Sequence, residues 1–173
     1  MPRIFSVLAS AVLIIIILTS PVLAPTKTGQ CANDSFDLVF QDIVADYALY
    51  TSLLYDVYSI NQYRVSLHAN NPELATAYLT GGFDPSLATD ITGFYLQWLP
   101  ELNKMAVIPT DSIPIINEKD RPYLNMQQIS PDKVVLERIY TNCYEIGDSY
   151  LYRITAQQKG GHWIIVDLQL DCL

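Results

Sequence analysis

Ser149-Tyr150-Leu151-Tyr152-Arg153-Ile154-Thr155-Ala156-Gln157-Gln158 alternates strictly, with Tyr150, Tyr152, Ile154 and Ala156 on one side and Leu151, Arg153, Thr155 and Gln157 on the other. A period of two with one apolar side is what a half-buried antiparallel strand requires. Lys159-Gly160-Gly161 follows, and paired glycines reach the positive φ values that a tight hairpin loop demands. His162 to Leu170 reads as the returning strand, with Ile164, Val166, Leu168 and Leu170 on one face and Trp163, Ile165, Asp167 and Gln169 on the other. Its apolar opening predicts cover on both faces, fading to one face by Asp167. Just upstream, Lys133 to Thr141 is rich in β-branched and aromatic residues, and residues 144–148 supply a turn, so a three-stranded meander is expected. Such a meander is stable only if something packs on its apolar side.

The earlier part of the chain offers that cover. Phe36, Phe40, Ile43, Tyr47, Tyr50, Leu54 and Val57 advance by fours and threes, the stripe of a long amphipathic helix, and Val44, Ala48, Tyr55 and Tyr58 widen it. This helix is expected to run on to His68 or to break near residues 59–61. Asn71-Pro72 and Asp84-Pro85 each set a capping side chain before a first-turn proline, which predicts two shorter helices. The first of these ends at Thr80-Gly81-Gly82, and the second carries Leu87, Ile91, Phe94 and Trp98 on one face and stops by Pro100. Residues 101–126 are broken by Pro109, Pro114 and Pro122, and read as an ordered loop or a short edge strand at 106–108 or 113–116. Asp111, Glu118, Asp120 and Arg121 in this stretch read as solvated charge. The fold class expected is α+β: a long N-terminal helix and two short helices on a curved antiparallel sheet, with a three-stranded C-terminal meander and room for a fourth edge strand.

Met1 to Ala24 has the composition of a targeting segment, since a single positive residue, Arg3, precedes an uncharged apolar core. Pro25 lies just past the small-residue site that ends at Ala24, which leaves two outcomes open. Residues 1–26 are either a cleaved signal peptide or an uncleaved anchor of about spanning length. Both place the chain from Cys31 onward outside the cytoplasm, as a secreted, periplasmic or outward-facing anchored protein, with residues 27–33 a linker and 34–173 a single domain. Beyond the leader, residues 27–173 hold 9 basic against 18 acidic side chains, a net of −9. That balance argues against a nucleic-acid partner and against adhesion to an anionic membrane, leaving the N-terminal segment as the only membrane contact.

Three cysteines in an oxidising compartment suggest one disulfide. Cys143 and Cys172 fall at the same end of the meander and are expected to pair if both lie beyond the middle strand and curl over it. Otherwise two strand spacings, about 10 Å, exceed the Cα reach of a disulfide, about 7 Å. Cys31 with one of them is the competing pair. No cysteines have C-x-x-C spacing, and the two histidines, His68 and His162, read as separate and structural, so neither a metal nor a cofactor is expected. The chain has no phosphate-cradling glycine loop, no G-x-S-x-G elbow and no H-E-x-x-H.

The arrangement of a long helix, two shorter helices and a closing meander that ends in Gly161-His162-Trp163-Ile164-Ile165-Val166-Asp167 resembles the cone-shaped α+β fold of the nuclear-transport-factor-like, or ketosteroid-isomerase-like, superfamily. The resemblance is similar in kind to small exported bacterial proteins that end in such a hairpin. It implies a sheet wrapped around the long helix, with a pocket at the open end of the cone lined by Tyr47, Tyr50, Leu54, Tyr150, Tyr152 and Trp163. Some members of that superfamily are isomerases or dehydratases; others are binding, assembly, inhibitor or immunity modules, and fold alone does not choose among them. Asp42 and Asp46 lie four apart on the long helix, on one face. In an isomerase or lyase, Asp46 or Asp167 would shuttle a proton while Tyr47 held an enolate oxygen. In a non-enzymatic domain that binds another envelope or secreted protein, those aspartates face water, the cone is filled by side chains and an apolar patch is exposed.

Overall fold

The computed structural model describes residues 28–173 apart from Ser112 and Tyr144, with side chains described from Ser35 onward. The leader, its cleavage or retention, and the side chain of Cys31 lie outside the described residues. Among the described residues no helix is long and apolar enough to cross a membrane. The chain is α+β, with helices packed on antiparallel sheets. It runs α1 (Thr28–Tyr55), β1 (Val57–Ile60), β2 (Tyr63–Ser66), α2 (Pro72–Leu79), α3 (Pro85–Tyr95), β3 (Leu96–Leu99), β4 (Lys104–Val107), a short 3-10 helix (Glu118–Tyr123), β5 (Asn125–Ser130), β6 (Lys133–Thr141), β7 (Ser149–Lys159) and β8 (His162–Cys172).

The closing meander is a four-stranded sheet, β5-β6-β7-β8, and its fourth strand is β5 rather than either of the segments read as an edge strand. Tyr152, Ile154 and Ala156 turn inward as the alternation requires, opposite Val134 and Leu136 of β6. The face reading of β8 needs one correction. A bulge at Val166 shifts the register, so that Ala156 faces Ile165 while Thr155 faces Asp167. One extra residue in a strand exchanges the faces on either side of it. Ile165, Leu168 and Leu170 therefore share the inner face. The expected cover on both faces at the opening of β8 is present, since Trp163, Ile164 and Ile165 are all buried.

α1 lays Phe40, Ile43, Tyr47, Tyr50 and Leu54 against this sheet, as the fours-and-threes stripe demands. Its second buried flank is Val39, Asp46 and Leu53, while Val44 is half-buried and Ala48, Tyr55 and Tyr58 are exposed. The helix begins at Thr28, inside the segment read as linker, and ends at Tyr55. Residues 57–66 form a hairpin in place of helix, because Asn61 and Gln62 adopt left-handed φ of 46° and 68°. Asn71 accepts from Leu74 N at 2.8 Å and Asp84 accepts from Ser86 N at 3.1 Å, so both proline-marked caps are formed. α3 is rotated from its expected face: Ala88, Ile91, Thr92 and Tyr95 are buried, Phe94 is 61% exposed, and Trp98 lies in β3. β3 and β4 join the 57–66 hairpin in a second sheet, β1-β2-β4-β3. Asp120, read as solvated, is buried in a capping box beside Arg138 of the sheet's inner face.

Cys143 and Cys172 both carry free thiols. The expected Cys143 to Cys172 bridge is absent because β7 stands between them. Cys172 is paired across from Tyr150, and Cys143 sits past the end of β6, two strands away. Neither curls over the middle strand.

Candidate functional site

Two clusters along the β7–β8 ribbon hold most of the polar and aromatic groups that the sequence singles out. The first is built where the hairpin turn meets α1. Asp42 and Asp46, one helical turn apart, present both carboxylates to His162, the first residue of β8. Asp42 Oδ1 lies 3.1 Å from His162 Nδ1, and Asp46 Oδ1 lies 3.1 Å from His162 Nε2. Asp42 Oδ2 also accepts from Trp163 N at 2.9 Å. The imidazole is thus clasped on both nitrogens, and the hairpin is pinned to the helix through side chain and backbone together.

Asp46 is 1% exposed, and its Oδ2 is buried without a hydrogen-bond partner among the described residues. Burial pushes its carboxyl up to about 7, opposed by the hydrogen bond and charge of His162. The Ile165 N–H also favours the ionised form, but it donates to Gly82 O at 2.8 Å. Gly82 explains the tightness of this corner. A Cβ on Gly82 would fall 2.3 Å from Asp46 Oδ1, so only glycine lets the α2–α3 loop lie this close. That loop adds itself to the sheet: Asp84 N donates to Ile165 O at 2.8 Å, and Phe83 forms a parallel bridge with Ile165. Lys159 closes the corner on Asp84 at 2.9 Å and holds the Asp84 carboxyl below its usual range.

The second cluster is aromatic. Tyr47 and Tyr152 share a buried hydroxyl–hydroxyl hydrogen bond, and Tyr47 packs edge-on against Tyr50 and Phe83 at 6.5 and 6.3 Å. Tyr50 packs edge-on against Tyr95 at 5.7 Å, and its hydroxyl is buried without a hydrogen-bond partner among the described residues. Burial drives the phenols of Tyr47, Tyr50 and Tyr152 well above the usual range, so all three stay neutral. Beyond them, residues 113–115, Tyr140, Tyr150 and Leu170, with Cys143, line an open apolar hollow of about 290 Å³.

The candidate pocket residues therefore divide. Tyr47, Tyr50, Leu54, Tyr152 and Trp163 fill the interior, and Tyr150 alone among them lines the hollow. Leu54 also touches a crevice of about 90 Å³ beside Tyr95 and Pro109. Asp46 and Tyr47 are neighbours in sequence, yet Asp46 turns to the His162 corner and Tyr47 to Tyr152. Asp167 joins neither; it is half-buried and accepts from Gln169 Nε2 at 2.8 Å. Sequence reasoning read His162 as structural but did not find the two carboxylates that hold it. The available signal was the pair of carboxylates four apart on α1, which need a common partner if they turn inward. Among the described residues no group of three or more His, Cys, Asp or Glu is placed to hold a metal ion.

No protein-family model matches this chain, and a search of curated proteins finds no significant relative.

Proposed function

We propose that this is an exported, non-enzymatic domain that works by binding another protein of the envelope or the extracellular space. The observation that carries this reading is the separation of Asp46, the carboxyl that burial pushes upward, from the apolar hollow. Acid–base catalysis needs a carboxylate within hydrogen-bond reach of a bound substrate. Asp46 instead looks onto the Gly82 backbone at a distance too short for one added carbon, and its other neighbour is His162. The hollow of about 290 Å³ has no carboxylate in its wall. Tyrosines occupy the space a substrate would need, and large apolar side chains such as Phe94, Tyr123, Ile129 and Ile139 remain at the surface. Export rests on the composition of residues 1–26, and kinship with the cone-shaped superfamily rests on the closing hairpin and on α1 packed across the meander.

One observation favours the isomerase or lyase reading: a carboxyl pushed up to about 7 is poised for proton transfer near neutral pH. The two readings separate through Asp46→Asn. A binding domain keeps its stoichiometric partner, assayed by co-elution with purified envelope or culture-fluid proteins, when this substitution is made. Loss of a measurable turnover with partner binding intact would instead establish the enzyme.

A further inference from the structure

Among the described residues, no backbone partner meets the outer edge of β8 beyond Ile165. Leu173 N donates to Ser149 O at 2.8 Å, and that pair sets the phase of the β7–β8 ladder. In an antiparallel ladder, hydrogen-bonded and non-hydrogen-bonded pairs alternate. Leu151 with Asp171 and Arg153 with Gln169 therefore exchange bonds, while Tyr150 with Cys172, Tyr152 with Leu170 and Ile154 with Leu168 do not. The N–H and C=O of Leu168, Leu170 and Cys172 consequently point away from β7, and β8 is the last strand of its sheet. At Ile165 the same outward groups are already bonded, to Gly82 and Asp84. The fold thus adds a strand fragment at one end of this edge and, among the described residues, leaves the rest unpaired. β5, at the other edge, is short, polar and bulged near Gln128, all features that discourage strand addition.

The side chains beside the open groups form a two-sided pattern. Leu168 and Leu170 lie on the inner face, and Leu170, 43% exposed, is part of the wall of the apolar hollow. Asp167, Gln169 and Asp171 lie on the outer face; among the described residues Asp167 has the Gln169 amide as its partner, and Asp171 has Arg153 at a stretched 3.4 Å. A second copy of the chain paired here in antiparallel fashion about Gln169 would set Asp167 opposite Asp171, and like charges directly opposite are destabilising. A strand with basic residues at those positions would be attracted instead, and the net charge of −9 beyond the leader adds long-range pull.

We infer that the outer edge of β8 from Leu168 to Cys172 is a strand-addition site. Its ligand is an extended segment of another protein that alternates apolar residues, directed toward the 113–115/Leu170 hollow, with lysine or arginine, directed toward Asp167 and Asp171. This rests on the binding reading above and specifies its surface. Main-chain hydrogen bonds supply affinity in this mode, and alternate side chains supply register and choice.

The test is a titration of the full chain with a synthetic octapeptide alternating valine and lysine, followed by calorimetry and by backbone amide shifts. Two control peptides are a scramble of the same composition with the lysines in one block, and an alternating valine and glutamate peptide. The expected result is binding of the first peptide only, with amide shifts at Leu168, Leu170 and Cys172. Leu170→Pro removes one outward N–H without touching the β7 ladder, and it should weaken binding roughly fivefold to tenfold. Asp167→Lys with Asp171→Lys should transfer preference to the glutamate peptide, which keeps the inference testable if the proline variant does not fold. Equal binding of the scramble, shifts confined to other surfaces, or no binding at all would overturn the inference. So would concentration-dependent self-association through β8. If a native partner still co-elutes and is indifferent to Leu170→Pro, the binding reading survives and only this surface is wrong.

Discussion

The two ends of the β7–β8 ribbon are made of the same two strands and are treated in opposite ways. At the turn end, His162 is held by Asp42 and Asp46, Trp163 N by Asp42, Ile165 by Gly82 and Asp84, and Lys159 by Asp84. At the other end, Leu168, Leu170 and Cys172 turn backbone groups outward with no partner among the described residues, and the apolar wall beside them is open. A buried polar group is costly unless paired, so the chain has concentrated its polar pairing where the hairpin must be fixed to the helix. The difference teaches that fastening is unevenly distributed along one ribbon: the turn end fixes the fold, and the far end is the edge we propose for a partner strand.

The largest expected effect contrasts one inner position with its neighbour toward the open end. Ile154 is fully buried in the core, and Ile154→Ala should cost about 2–5 kcal/mol in chemical denaturation. Leu170→Ala, on the same inner face, should cost under about 1 kcal/mol, because Leu170 is already partly in water. Equal losses at the two sites would mean that the far end is as well packed as the core.

The turn end should also make stability depend on pH. Asp46 is held at about 7 when folded, against an ordinary value of 3.8. Between those values the folded chain keeps a proton that the unfolded chain has released, so stability falls as pH rises from about 4 to 7 and levels off above. The full span is on the order of 4 kcal/mol. Asp84 and Asp132, whose carboxyls are held below the usual range by Lys159 and by Ser130, act below this window. Denaturant midpoints measured across pH 4 to 8 should therefore slope downward for the native chain and flatten for Asp46→Asn. An upward slope over that range would show that Asp46 is ionised at little cost.

Gly82→Ala should cost about 1–3 kcal/mol, because its methyl group occupies the space of the Asp46 carboxylate and must displace it from His162. A neutral outcome would show that the corner is loose. The smallest effect expected is that of reductant. With Cys143 and Cys172 free, thermal unfolding should be unchanged by dithiothreitol, and alkylation should label both cysteines without prior reduction.

Much of this architecture was legible because it is written locally. Asn71-Pro72 and Asp84-Pro85 name their helices through caps that need no tertiary context, and Gly160-Gly161 names the hairpin, with φ of 61° and 89°. The 57–66 hairpin was hidden because its turn uses Asn61 and Gln62 rather than glycine, while Tyr55 and Tyr58 prolong the helical spacing past the real end of α1. The Val166 bulge was hidden because period-two reading has no means of detecting one inserted residue. α3 misleads by one position because Phe94 and Trp98 are the largest apolar groups nearby, yet the helix turns Tyr95 inward to meet Tyr50. The site was the least readable part. Asp42 and Asp46 lie more than a hundred residues from His162, and only the packing of β8 on α1 brings the three together.

The most direct measurement is amide hydrogen exchange of the free protein, residue by residue along β8. The amides of Ile165, Gln169 and Asp171 should be protected, the first by Gly82 and the others by β7, while those of Leu168, Leu170 and Cys172 exchange fast. Protection of Leu168 and Leu170 equal to that of Ile165 would mean that the edge is already covered, and the division of labour along the ribbon would fall with it.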